Sequence, residues 1–205
     1  MKRFLAFFCV LLLPFLLMGE EQKEPGAWVS YIDGKTAVIR NAEGKSERLT
    51  QNTIVQEGDR IITYDSSAEV DIGGVNLLRL WKGSNAGFIY LQNEVRVEIE
   101  GDAYLQVEDT GKKLSVVFSN SISDIVDPGL YRFRSGKSPE IIVFYGELET
   151  EYKGQKKVLR WKDIGLLKVD KVSVCSTDSQ FVKDKFDMFN EKRAREMEKG
   201  GGKAP

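Results

Sequence analysis

Glu94-Val-Arg-Val-Glu-Ile-Glu100 decides the fold class. Apolar and charged residues alternate without a break, so Val95, Val97 and Ile99 fall on one face of an extended strand and the charges on the other. This is the pattern of a sheet with one dry face and one wet face. Outward from this stretch, short runs of the same kind recur: Arg60–Tyr64, Ala68–Ile72, Val75–Trp81, Gly87–Leu91, Ala103–Glu108, Lys113–Ser119, Leu130–Arg134, Glu140–Tyr145 and Val158–Trp161. Turn signals separate them about every 8–12 residues, the spacing of an all-β chain. Ile141-Ile-Val-Phe-Tyr145 is apolar throughout and reads as an inner strand covered on both faces, or as the centre of a two-layer stack. Asp33-Gly34, between Ala27–Ile32 and Lys35–Arg40, has the form of a two-residue type I′ hairpin turn. Further turn signals are Glu43-Gly44, Gly73-Gly74, Lys82-Gly83, Thr110-Gly111, Gly146-Glu147 and Lys153-Gly154. The expectation is a β domain over residues 27–175, either a twisted antiparallel β-sandwich or a β-solenoid-like stack of short strands. Periodicity does not choose between the two, because it does not say how layers close.

A single C-terminal α-helix is expected over residues 177–199. Thr177-Asp-Ser-Gln180 has the form of a capping box, and Val182, Phe186 and Phe189 follow at i, i+4 and i+7, widened by Phe181 and Met188. That first half should dock on the β body. From Glu191 onward the helix is charged on most sides, with Glu191 and Arg195 in the favourable i,i+4 order, and should run into solvent. Residues 200–205, Gly-Gly-Gly-Lys-Ala-Pro, read as a flexible tail.

The chain has 205 residues, 30 Lys+Arg against 31 Asp+Glu, two cysteines and no histidine. A Ser-His-Asp triad, a Cys-His pair and any His-bearing zinc site are therefore excluded. Near-neutral charge gives no global attraction to nucleic acid or to an anionic membrane surface. Met1-Lys2-Arg3 precedes an uncharged apolar run from Phe4 to Met18, which is too short for the roughly 20 residues of a membrane-spanning helix and has signal-peptide form. Residues 1–19 are thus expected to direct export and to be cleaved after Gly19, retention as an N-terminal anchor being the alternative. Cleavage would remove Lys2, Arg3 and Cys9, leaving 28 basic against 31 acidic residues, a net charge of −3, and Cys175 alone. An exported domain with one cysteine has no internal disulfide, so its core must hold it together. Cys175, in Val172-Ser-Val-Cys-Ser176, fits an apolar strand position.

Candidate chemistry is sparse. Asp59, Asp65, Glu69, Asp71, Asp124 and Asp127 are the acids that a glycosidase-type pair would draw on, but their spacing fixes no such pair, and most sit in turn-forming contexts. No calcium loop, phosphate-binding loop or dinucleotide fingerprint is present. Trp28, Trp81 and Trp161 could stack on a sugar or a partner, although Trp81 ends an apolar run and reads better as core. Lys153, Lys156 and Lys157 read as an exposed hairpin tip. No catalytic, cofactor-binding or metal-ligating residue is assigned.

The order of motifs resembles the exported FecR-like domain, in particular its stand-alone secreted versions. The stretches that carry it are Val29-Ser-Tyr-Ile-Asp-Gly34, Ala37-Val-Ile-Arg40, Val55-Gln-Glu-Gly-Asp-Arg-Ile-Ile-Thr63, Ser67-Ala-Glu-Val-Asp-Ile72, Leu78-Arg-Leu-Trp81, Val95-Arg-Val-Glu-Ile99 and Asp127-Pro-Gly-Leu-Tyr-Arg-Phe133. Ile142–Tyr145 before Gly146-Glu-Leu-Glu-Thr150, and Phe186-Asp-Met-Phe-Asn-Glu-Lys-Arg193, extend it to roughly residues 27–195. The resemblance implies a β-rich exported module. Its best-known members relay the state of an outer-membrane receptor through a membrane helix to a cytoplasmic sigma factor. Here only Met1-Lys2-Arg3 precedes the apolar run, so that relay is not carried over.

Together these readings lead to the expectation of a periplasmic or secreted, non-enzymatic module with no cofactor and no membrane span after signal cleavage. It would bind another envelope component, protein or polysaccharide, through strand edges, loops or the C-terminal helix. A regulatory module acting in trans on a receptor or transmembrane signalling protein is the alternative, and a carboxylate-based glycan hydrolase a remote one.

Overall fold

A computed structural model describes residues 26–91 and 93–200. The expected signal peptide (residues 1–19) and all of the tail except Gly200 lie outside the described residues. In chain order the strands are β1 Ala27–Asp33, β2 Val38–Arg40, β3 Ser46–Arg48, β4 Ile54–Val55, β5 Arg60–Ile62, β6 Ser67–Ile72, β7 Asn76–Leu80, β8 Asn85–Leu91 and β9 Glu94–Glu100. They continue as β10 Ala103–Val107, β11 Lys113–Phe118, β12 Ser121–Ile125, β13 Gly129–Arg134, β14 Glu140–Tyr145, β15 Glu147–Tyr152, β16 Gln155–Arg160, β17 Asp163–Leu167 and β18 Val172–Ser176. Two helices follow, α1 Thr177–Gln180 and α2 Lys185–Gly200.

The strands form two nine-stranded sheets, ordered β4-β1-β6-β7-β10-β13-β14-β17-β18 and β3-β2-β5-β8-β9-β11-β12-β15-β16. Within each sheet spatial order follows chain order except at the starting end. The chain climbs a two-layer stack, making a strand or a hairpin in one sheet before crossing to the other. Both expected architectures are therefore partly realised: the layers are those of a sandwich, and the advance is that of a solenoid. The coil β9-β10-β11 shows the second feature most clearly, because leaving the sheet for one strand brings β11 back parallel to β9, while all other pairings are antiparallel.

Inward-facing residues of both sheets make one core, including Val70, Leu78, Leu105, Phe133 and Val143 from one layer and Ile61, Phe88, Val97, Val116 and Leu148 from the other. Phe118 and Phe133 meet across the layers edge to face, with ring centroids 5.6 Å apart. Val95, Val97 and Ile99 of β9 are buried as the alternation requires.

One turn is a correction. Asp33-Gly34 makes no hairpin, because β1 and β2 belong to different sheets and the dipeptide forms an arch between them. Gly34 has φ +113° and lies against the Ser66 backbone, where a Cβ would fall 3.0 Å from Ser66 Cα, so the site demands glycine for reasons unrelated to hairpin twist. Two-residue turns with both φ angles positive occur instead at Ser119-Asn120, between Phe118 and Ser121, and at Lys153-Gly154, between Tyr152 and Gln155. The lysine tip is placed there as expected, and Lys153, Lys156 and Lys157 are exposed.

The C-terminal helix is present as α2, but it begins at Lys185, later than the expected residue 177. The chain breaks over residues 181–184 between α1 and α2. Ser176 caps α1, and the reciprocal box that the sequence placed on Thr177 and Gln180 is made by Asp184 and Asp187. Asp184 Oδ1 accepts from the Phe186 and Asp187 amides at 2.8 and 3.1 Å, and Asp187 Oδ2 accepts from the Asp184 amide at 2.6 Å. A short acid can cap as well as a threonine, and these two acids also have partners on the sheet.

Candidate functional site: the helix seat

The outer face of the sheet containing β10 carries α2, so we call it the covered sheet and the other the open sheet. One row of directly opposed residues runs across the covered face: Tyr31, Glu69, Arg79, Tyr104, Arg132, Ile142, Ile164 and Cys175. Period-2 geometry makes all eight share a face. A bulge in β1 between Val29 and Tyr31 sets the register that places Tyr31 opposite Glu69 and leaves Ser30 within reach, its hydroxyl donating to Glu69 Oε1 at 2.9 Å.

The centre of this row is charged and dry. Arg79 and Arg132 are 1% and 0% exposed, although each belongs to a strand with apolar neighbours on both sides. Arg79 Nε donates to Glu69 Oε2 at 2.7 Å, and its Nη1 to Asn190 Oδ1 on α2 at 2.7 Å. Arg193 Nη2 reaches Glu69 Oε1 at 3.2 Å, with the guanidinium 3.8 Å from the centroid of the Tyr31 ring. At the other end Arg132 Nη2 donates to Asp184 Oδ2 at 2.5 Å, while Arg132 Nη1 and the Tyr104 hydroxyl both donate to Asp187 Oδ1. Aromatic rings close the seat. Phe186 stacks on Trp81 at 4.9 Å and meets Tyr104 edge-on at 5.0 Å, and Phe144 meets Phe181 at 5.3 Å.

Geometry fits the helix to the sheet. The nine-residue step from Asp184 to Arg193 advances about 14 Å. The three strand spacings from β13 to β6 also span about 14 Å. The helix therefore crosses the strands and reads the row residue by residue.

Burial opposes the Glu69 carboxylate, yet Arg79, with Arg193 and Ser30, outweighs it and holds its pKa below the ordinary value of 4.5. Asp184 is likewise disfavoured by desolvation and held below its ordinary 3.8 by Arg132 and by backbone donors. Burial and the bond to Asp187 push the Tyr104 phenol well up. Desolvation works against the Arg132 cation, but Asp184, Tyr104 and Asp187 outweigh it and raise its pKa. At neutral pH Glu69 and Asp184 are thus carboxylates, Arg132 a cation and Tyr104 a neutral phenol.

The acids that the sequence offered for catalysis scatter. Glu69 lies in the seat, and Asp71 lies two residues along β6, accepting from the Gly74 amide at 2.7 Å. Asp71 is pushed up by burial and by the charge of Glu69. Asp59 accepts from the Gln56 amide at 2.8 Å and caps the turn at Gly58, Asp65 and Asp127 are exposed in loops, and Asp124 bonds Ser115 and Lys113 on the open sheet. Trp81 is half-buried rather than core and serves as a platform for the protein's own helix; Trp161 is 67% exposed. Val182 and Met188, expected to dock, are exposed, and the charged half of α2, expected in solvent, is docked through Arg193 and Met197. Cys175 stands in β18 as expected. Among the described residues no three His, Cys, Asp or Glu side chains converge as a metal site, and no helix is long and apolar enough to cross a membrane.

The open sheet has a different outer face. Arg60–Glu98 at 2.9 Å, Arg96–Glu94 at 2.8 Å, Lys113–Asp124 at 2.9 Å, Lys156–Glu149 at 3.1 Å and Arg160–Glu147 at 2.7 Å line it with partly exposed ion pairs.

The fold and the seat define a class: a two-layer stack of short strands that climbs in chain order, closed on one face by a C-terminal helix. Two crystal structures of a "putative anti-sigma factor" from Parabacteroides distasonis ATCC 8503, at 2.50 and 1.65 Å resolution, are similar to it, each with a TM-score of 0.51 and 15% and 14% sequence identity. The similarity covers 56% of this chain and 57% of theirs, so it extends over little more than half of either protein. No family model and no curated protein matches the sequence.

Proposed function

We propose that this chain is an exported, non-enzymatic FecR-like β module whose open sheet binds another cell-envelope component, protein or polysaccharide. The observation that supports it best is the asymmetry of the two outer faces. One is crossed at its centre by the chain's own helix, and the other has no element packed over it among the described residues. Eight strand spacings give that face a width of about 38 Å, enough for an interface of standard size. The motif string from Glu57 to Thr63 fits a structural role. Gly58 makes the turn, Asp59 caps it, Arg60 pairs with Glu98 on the open face, and buried Thr63 donates to Ser84 O at 2.8 Å, anchoring the loop that carries Trp81. Crosslinking in intact cells followed by purification of the tagged full chain tests the reading. A partner recovered with the natural protein and lost with Arg60→Glu plus Lys113→Glu is expected; no partner above background overturns it.

A regulatory role in trans is the second reading, favoured by the anti-sigma name of the Parabacteroides structures. It predicts that deleting the gene alters transcription of a defined set of genes, and an unchanged transcriptome rejects it.

A further inference from the structure

The helix seat is built so that both of its halves remain satisfied when they part. With α2 removed, Arg79 keeps Glu69 at 2.7 Å and Gln106 at 3.3 Å, and Arg132 keeps Asp102 at 3.7 Å and the Tyr104 ring at 5.4 Å. The helix in turn keeps its Asp184–Asp187 box, the Arg193–Glu196 pair at 2.9 Å, and the Lys192–Glu196 and Glu191–Arg195 pairs at 3.7 Å. Closure is also imperfect, since the buried Arg132 Nε and Arg193 Nε find no hydrogen-bond partner within it. The ionic part of the seat rehydrates on opening, so the main cost of parting is exposure of the Phe186 and Phe181 rings, which a second copy's seat would bury again.

The joint permits movement. Between β18 and α2 lie a four-residue helix, too short to persist alone, and four non-helical residues. Fully extended, the eight residues from Thr177 to Asp184 reach about 26 Å. The seat matches one segment in detail, namely Asp184, Phe186, Asp187, Asn190 and Arg193, and every copy of the chain carries that segment.

We infer that α2 can leave its own sheet and occupy the covered sheet of a second copy, so that two chains associate by exchanging C-terminal helices. Contacts within one chain are favoured at low concentration by the short tether, and exchange adds a dimer without any new contact. This holds whichever component the open sheet binds.

Two full-length variants test it. In one, Asp184→Ala with Asp187→Ala spoils the helix and leaves the seat. In the other, Arg132→Ala with Trp81→Ala spoils the seat and leaves the helix. Each alone should be a monomer by light scattering, and an equimolar mixture should show a 1:1 heterodimer of about twice the mass. Adding Phe186→Ala to the helix donor should return the mixture to monomers. A mixture of folded variants that stays monomeric overturns the inference, as does a heterodimer that survives Phe186→Ala. Should the alanine variants fail to melt cooperatively, Asp184→Asn with Asp187→Asn and Arg132→Gln, which conserve volume, are read by the same two outcomes.

Discussion

Arg132 is the residue on which the seat turns, because its guanidinium joins β13 to both acids of the α2 capping box. Removing one partner of a buried pair costs about 3–5 kcal/mol when the remaining charge stays buried. In Arg132→Ala, however, Asp187 can escape by undocking the helix, so the loss stops at the free energy of docking. The expected result is a chain whose β body melts nearly as before while α2 becomes open to limited proteolysis. A double-mutant cycle with Asp187→Ala should be clearly non-additive, since the second change removes a group the first has already freed. Acid should act in the same place. Glu69 and Asp184 have folded pKa values below their ordinary 4.5 and 3.8, so their contribution is full above those values and lost as pH falls below them. Helix docking, followed by tryptophan emission from Trp81 with Trp28 and Trp161 changed to Phe, should therefore hold from neutrality down to about pH 4.5 and fail below it.

At the scale of elements, an acidic residue followed by glycine serves two purposes. Gly34 and Gly44 both have positive φ, but Gly34 carries the crossing between sheets, pressed on Ser66, while Gly44 turns a hairpin in open space. Gly44→Ala should cost about 1–2 kcal/mol from backbone strain alone. Gly34→Ala should cost measurably more, because the Ser66 backbone cannot move aside, and denaturant midpoints of the two variants compare them directly. The contrast explains how much of the fold is legible in the sequence. Alternation identifies β9, and apolar content identifies β14, because burial acts on each residue of a strand. Whether a turn folds the chain back or sends it to the other layer depends on neighbours distant in sequence, so Asp33-Gly34 looks like a hairpin until Ser66 is in place. The buried face of α2 escapes a sequence reading for a related reason. Hydrophobic periodicity registers Phe186 and Phe189 but is blind to buried Asp187 and Asn190 and half-buried Arg193, which pair with Arg132, Arg79 and Glu69. A signal does exist: Leu78-Arg-Leu80 and Tyr131-Arg-Phe133 each set one cation in an apolar strand, and each cation meets polar side chains of the C-terminal segment, Asn190 for Arg79 and Asp184 with Asp187 for Arg132.

Over the whole molecule, one core runs between two sheets that advance together, so stability should be cooperative along the stack while the helix forms a separate, weaker unit. Phe118→Ala, which removes one ring of the Phe118–Phe133 contact between layers, should cost about 3–5 kcal/mol and lower the single main transition of the β body. Amide hydrogen exchange across the full chain, with natural Arg132 and with Arg132→Ala, tests the ionic seat most directly. Protection of α2 in the natural protein, below that of β7, β10 and β13 and lost in the variant while those strands keep theirs, is the predicted result. An α2 that exchanges freely in the natural protein, or that stays protected without Arg132, would contradict it.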